Sequence, residues 1–346
     1  MKWPNWKRVA VFLLLSLLPI TACLFFFPCT RLGPPAPPPF FEHVASNGPI
    51  AFSPDSKWLA FTQDKRVLLC RLADHPAVEE LTEVPESTIM SLAFSGDSTR
   101  LIVGSGALSE YDIATRKLIR NIEIRDHAIS NFWLCPHSEK IVATLSKKTT
   151  NYTTSLESFD LNNPEHRTRL HPNLNQISDV KFSKDGQFVA AADGGNLIYV
   201  WNTTDWSVHR QIPSRPYGKL ALHWSAPTIA VAEGEDHRSS VHIWSMAEVK
   251  HLARWKTQGN LRGLEYHKDG DLITLNQHYF FTLPQGCSLG VWDVQGRRKS
   301  WLGVHNSFAY HLALSNDGEF VATLGNDGPT GWRVKVWRWE HLVSAR

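Results

Sequence analysis

Sixteen histidines and five cysteines stand in this chain of 346 residues. Their spacing is where a metal site, a nucleophile or a redox pair would show itself. The nearest histidine pairs are His166/His171, His237/His242 and His305/His311. None follows a spacing that holds zinc, and HExxH, GxxxxGK and CxxC are all missing from the sequence. Cys70 and Cys135 fall in strand-like stretches, where a thiol serves as a small hydrophobe. Cys287 lies in a long insert, and no disulfide framework is legible. The sequence therefore predicts no catalytic residue, no cofactor and no metal. Lys+Arg is 36 and Asp+Glu 33, a net charge of +3, which gives no electrostatic reason to expect nucleic acid as a partner.

Behind these residues lies a repeat. The segments AFSPDSK (51–57), AFSGDST (93–99), WLCPHSE (133–139), KFSKDGQ (181–187), HWSAPT (223–228), EYHKDGD (265–271) and ALSNDGE (313–319) align on Phe52, Phe94, Leu134, Phe182, Trp224, Tyr266 and Leu314. The steps between these anchors are 42, 40, 48, 42, 42 and 48 residues, a period in the propeller range. Each unit opens with an apolar strand, then a turn rich in Asp and Gly that tolerates positive φ. A second strand runs apolar, as in 188–192 (FVAAA) and 320–324 (FVATL). A third strand ends in an aromatic: Tyr111, Phe159, Trp201, Trp244, Trp292 and Trp337, with Cys70 in the same place in the first unit. These six aromatics are expected to be structural, packing between neighbouring blades. A short fourth strand completes the unit.

The S-x-D-G turn followed by a Trp-Asp-like dipeptide resembles the WD-repeat family, over essentially all of 40–346. Trp292-Asp293 is the literal dipeptide. No unit has the Gly-His that often opens the family's repeat, although His43, His127 and His305 stand in the corresponding place. The resemblance implies an all-β, seven-bladed β-propeller of four-stranded blades. It also implies an internal hydrogen-bond relay of loop His, strand Ser/Thr, turn Asp and strand-three Trp. Only the seventh unit offers a full set, His305, Thr323, Asp327 and Trp337, with Asp327 further from the Trp than the family spacing. The last unit stops after its third strand, so Phe40 to Val44 is expected to supply the missing fourth and close the ring without an open edge.

Units three, six and seven are longer between strands two and three: Ser146 to Ser155, Gln277 to Ser288 and Gly325 to Trp332. All three inserts must emerge on one face, and loops on a rigid scaffold are where recognition sits. The partner-binding candidates are therefore His278, Tyr279, Phe280 and Phe281, then Lys147, Lys148 and Tyr152, then Asn326, Asp327 and Trp332. Two functions are expected. One is a non-catalytic protein-protein interaction scaffold, itself monomeric. The other is a propeller binding a small ligand, or acting as an enzyme, through channel residues such as Asn47, Glu86, Ser130, Gln176, Lys219, Arg262 and Ser307. Those residues form no carboxylate pair of the glycosidase kind.

The N-terminus reads as an address. Residues 1–8 are basic, with Lys2, Lys7 and Arg8, and residues 9–27 carry no charge. Nineteen residues at ~1.5 Å each span about the hydrocarbon thickness of a bilayer. Two readings stand: an uncleaved signal-anchor, or a secretory signal whose Ile20-Thr21-Ala22-Cys23 resembles a bacterial lipoprotein box with Cys23 lipidated. Both leave the N-terminal basic residues cytoplasmic and the propeller extracytoplasmic. Residues 28–39 hold five prolines between Pro34 and Pro39 and read as a polyproline II stalk, long enough to hold the propeller about 35 Å off the membrane.

Overall fold

The structure, a computed structural model, describes residues 32–81, 87–147, 154–171, 177–193, 196–214, 218–235, 238–280 and 283–344. It contains seven separate four-stranded antiparallel sheets. Six blades are continuous in sequence, and the seventh is assembled from both ends of the chain. Phe41–Val44 pairs antiparallel with Trp332–Arg338, in the register Phe41↔Val336 and Val44↔Arg333. The sequence prediction of closure therefore holds. Phe40 packs on Phe320 with ring centroids 5.3 Å apart, and the Arg338 guanidinium lies 4.8 Å from the centre of the Phe40 ring. The seam thus carries packing as well as ladder bonds.

The core is divided among the gaps between blades. Tyr111 packs with Leu69 and Val67 of the preceding blade, Trp201 with Val142 and Leu156, and Trp337 with Leu289 and Leu302. Five of the six strand-three aromatics are buried. Trp244 is partly buried against the gap between blades four and five and meets His251 edge-on, with centroids 4.9 Å apart.

The turn after each first strand explains the repeated Ser-x-Asp. Ser53 Oγ donates to Asp55 Oδ1 at 2.6 Å, and that carboxylate accepts the Lys57 amide. The same bonds recur at Ser183/Asp185 and Ser315/Asp317. A left-handed residue follows: Gly186, Gly270 and Gly318 where the unit is regular, and Ser56 and Ser98 where it is not; in blade three it comes one position earlier, at His137. These turns also tie blades together, since the Asp55 amide donates to Ser98 Oγ and the Asp317 amide to Ser56 Oγ.

The N-terminal expectations divide. Residues 1–31, with the span, its basic flank and Cys23, lie outside the described residues. Among the described residues no helix is long and apolar enough to cross a membrane. The stalk is corrected from Leu32 onward. Instead of standing free, this segment lies along the outer edge of blade six. Pro35 bridges Gly303 in parallel, the Ala36 amide donates to Gly303 O, and the Gly303 amide to Pro34 O. Ser288 Oγ donates to Leu32 O at 2.6 Å, and Ala36 joins the apolar cluster between blades six and seven. The physical reason is the open edge of the fourth strand, Arg298–His305. Prolines lack amide donors but keep their carbonyls, so an extended proline segment can still accept from that edge.

Candidate functional site

The inserts emerge on the face formed by the turns between strands two and three and by the connections between blades. The blade-six insert is a hairpin continued from the sheet, with Leu272–Phe280 pairing Leu283–Trp292 up to Phe280↔Leu283. His278 is consequently 2% exposed, with Nε2 3.2 Å from Ser288 Oγ and its ring edge-on to Trp301 at 5.7 Å. It is a packing residue, not the partner contact the sequence suggested. Its cluster of aromatics is split by the two-residue period of the strand. Tyr279 faces outward, half-buried, and its hydroxyl accepts from Arg262 Nη2 at 2.8 Å. Phe280 ends the strand, and Phe281 lies outside the described residues.

The blade-seven insert divides in the same way. Asp327 is 7% exposed. Its carboxylate meets His305 Nδ1 at 3.2 Å and Lys335 Nζ at 2.7 Å, and accepts the Asn306 amide. Burial pushes this carboxyl up, but the bonds from His305 and Lys335 outweigh it and hold it well below the usual range. Asp327 is therefore fully used inside the blade, which corrects its reading as a partner contact. Asn326 Oδ1 accepts the Gly328 amide and shapes the turn. In blade three Lys147 is exposed, while Lys148 and Tyr152 lie outside the described residues.

Three members of the expected relay meet. His305 Nε2 is 2.8 Å from Thr323 Oγ1 and Nδ1 reaches Asp327. Trp337 departs, its indole N–H donating to Pro37 O instead. The missing half appears one blade earlier, where Trp292 Nε1 donates to Thr274 Oγ1 at 2.9 Å.

Trp332 does reach the surface, in company the sequence did not reveal. It stacks on Tyr310, centroids 5.5 Å apart, and Tyr310 stacks on Phe308 at 6.2 Å with planes 7° apart. The Arg262 guanidinium lies 5.8 Å from the centre of the Tyr310 ring, and also serves Tyr279. Tyr310 is 38% exposed. Phe308, Tyr310, Trp332, Arg262 and Tyr279 thus form one continuous strip across the blade six–seven boundary on the insert-bearing face. Its signal in the sequence was the alternation Phe308-x-Tyr310 at the start of a first strand, which puts both rings on one side. Aromatic and arginine side chains in such a strip are the types that dominate protein interfaces.

Little else there suggests chemistry. Among the described residues no group of three or more His, Cys, Asp or Glu is placed to hold a metal ion. Cys70, Cys135 and Cys287 are free and buried, and burial raises all three thiol pKa values, that of Cys70 to about 12, away from nucleophilic thiolate. Of the expected channel residues, Glu86 and Gln176 lie outside the described residues. Asn47 is exposed, Ser130 meets Ser146, Lys219 reaches Ser178 O, Ser307 O accepts Gln277 Nε2, and Arg262 belongs to the aromatic strip.

The fold and this geometry define a seven-bladed β-propeller of four-stranded blades. The profile of the "WD domain, G-beta repeat" family matches residues 163–202, the fourth strand of blade three and the first three of blade four. The chain is 23% identical over 264 residues to an anaphase-promoting complex subunit cdc20 from Dictyostelium discoideum, covering 73% of this chain and 50% of that protein; it thus spans about half the length of that curated relative. A chain in the crystal structure of a mitotic checkpoint complex superposes with a TM-score of 0.69 at 17% identity, covering 87% of this chain and 94% of that one. That likeness shows the fold.

Proposed function

We propose that this chain is a non-catalytic scaffold that recognises a protein partner through the aromatic strip on its insert-bearing face. The observation that carries the reading is the Phe308–Tyr310–Trp332 stack with Arg262 laid against it: a row of rings on the rigid frame of blade seven, braced by an arginine of blade six, loses little entropy on binding. Both named relatives, the anaphase-promoting complex subunit and the mitotic checkpoint complex chain, are parts of protein assemblies, which supports the same reading.

The address belongs to the proposal too. Residues 9–27 tether the propeller to a membrane, as an uncleaved span or through lipid on Cys23, with the N-terminus cytoplasmic and the propeller on the extracytoplasmic side. Because the chain is docked on blade six from Leu32, only residues 28–31 separate it from the apolar run. At ~3.3 Å per residue that is about 13 Å, so the propeller rides close to the bilayer.

The test is co-purification of the full chain from mild detergent, wild type against Tyr310→Ala and Trp332→Ala. A companion retained by the wild type and lost from both variants, with melting temperatures unchanged, is the expected result. A companion kept by both variants removes the strip from the reading. Protease treatment of intact cells should digest the propeller, and protection until the envelope is opened would refute its placement. The mass of the mature N-terminus distinguishes Met1 from a lipidated Cys23.

A further inference from the structure

The first strands line the central channel, and at the position before each anchor they present Ala51, Ala93, Trp133, Lys181, His223, Glu265 and Ala313. The alanines of blades seven, one and two leave room that the other blades fill. The result is an off-centre cavity of about 310 Å³ at the face opposite the inserts, lined among others by Ala51, Ala93, Trp133, Phe182, Lys181 and Lys184. Its size suits a ligand of modest dimensions, and its walls are mainly apolar with a few polar groups, the usual make-up of a small-molecule site.

The charges are asymmetric. Lys181, from blade four, is paired across the channel with Glu265 of blade six. Lys184 also reaches across, its Nζ 3.3 Å from Asn316 Oδ1 of blade seven, and lies 4.4 Å from the centre of the Trp224 ring. Among the described residues no carboxylate forms an ion pair with it. One ammonium of the cavity wall thus has a neutral amide and a ring face as its direct contacts, with Glu265 acting on it without an ion pair. Burial lowers its pKa, with Lys181 adding and Glu265 opposing, so an anion at this place would meet a cation short of counter-charge.

We propose that this cavity binds an organic monoanion, its apolar body against Ala51, Ala93 and Trp133 and its single acid group on the Lys184 ammonium. The site is separate from the aromatic strip and stands whether or not that strip binds a partner. Two charged groups on one ligand would exceed the single ammonium that, among the described residues lining the cavity, has no carboxylate partner, and a neutral ligand would leave it unanswered.

Calorimetric titration of the full chain in detergent at pH 7.5 tests it, using three acids each against its uncharged amide: indole-3-acetate, 4-phenylbutyrate and naphthalene-1-sulfonate. At least one acid is expected to bind at one site and about tenfold or more tighter than its amide, the usual worth of a charge-assisted hydrogen bond. Lys184→Met should abolish that preference, and Ala93→Phe, which fills the cavity, should abolish binding of both members of the pair. Equal binding of acid and amide by the wild type, or no binding of any acid, overturns the proposal and needs no variant to fold. An acid preference that survives Lys184→Met in a protein with unchanged melting temperature overturns it as well.

Discussion

The indole N–H of Trp337 donates to the carbonyl of Pro37 at 2.9 Å, joining residues 300 positions apart. Trp337 is the strand-three aromatic of the last blade and Pro37 belongs to the proline segment running in from blade six. One bond therefore fastens the N-terminal segment across two blades, just before Phe41–Val44 enters the closing sheet. Trp337→Phe keeps a six-membered ring but removes the donor and the pyrrole that carries it. It should lower stability by about 1–3 kcal/mol from the lost bond and the small void and, more tellingly, expose residues 32–39 to limited proteolysis well before the propeller is cut. Wild-type and variant digests that release this segment at the same rate would show that the bond does not hold it.

The turns after the first strands make a paired prediction. Gly186 sits at φ +70, and an added Cβ would lie 2.7 Å from Pro136 O. In blade three the left-handed residue is His137, one position earlier in the turn, at φ 62. Gly186→Ala should cost about 1–3 kcal/mol from backbone strain and close approach, whereas His137→Gly should gain several tenths to about 1 kcal/mol. Denaturant midpoints of the two variants should move in opposite directions. Movement in the same direction would mean that left-handed backbone strain does not set the response at one of the two sites.

That pair also shows why the architecture was readable. Ser-x-Asp-Gly encodes its turn through bonds within a few residues, so Ser183, Asp185 and Gly186 announce the structure locally. The closing strand followed from a count, because a seventh unit lacking its fourth strand needs one. What could not be read was anything set by contact between distant segments. His278 to Phe281 looked like one aromatic patch, yet a strand sends alternate residues to opposite sides and buries His278 beneath Trp301. Asp327 looked like an exposed loop acid, and only the arrival of His305 and Lys335 explains its burial. The proline segment shows only its own stiffness in the sequence, whereas its position follows from the unpaired edge of Arg298–His305, with Pro35 and Gly303 bridged across 268 positions of the chain. Tyr310 and Phe308 gave only a two-residue alternation, and their stack on Trp332 needed the third strand to be placed beside the first two.

Glu110 is 1% exposed between two guanidiniums, with Arg120 Nε at 2.5 Å and Arg100 on its other oxygen. Arg100 continues to Glu139 of blade three at 2.6 Å. Replacing both Arg100 and Arg120 by Met would leave a buried carboxylate without a counter-charge, at a cost of about 3–5 kcal/mol. Adding Glu110→Leu to that double variant should recover most of the loss, because the penalty lies in the stranded charge. Thermal unfolding of the double and triple variants checks this, and a triple variant no more stable than the double would place the loss in packing instead.

Stability should fall as pH drops from about 6.5 towards 4, and His311 should account for part of it. Burial lowers the pKa of this imidazole to about 4, with Lys219 and Lys181 adding to the shift across the channel. In the unfolded chain it titrates near 6.5. Between those values the unfolded state binds the proton and the folded state does not, so folding weakens with each step of acidification. His305 shifts in the same direction through burial, although Asp327 opposes it. The depressed carboxyls cannot produce this slope. Asp327 and Asp97 have folded pKa values lowered from 3.8, so their stabilisation is complete above the ordinary carboxylate range and is lost only below it. His311→Gln removes one titrating group and should flatten the decline by about 1–3 kcal/mol across this interval, the channel's access to water setting the lower figure. Denaturant midpoints at pH 7, 5.5 and 4.5 measure it. Parallel curves for wild type and variant would mean that the His311 ring accepts its proton as readily in the folded channel as in the unfolded chain.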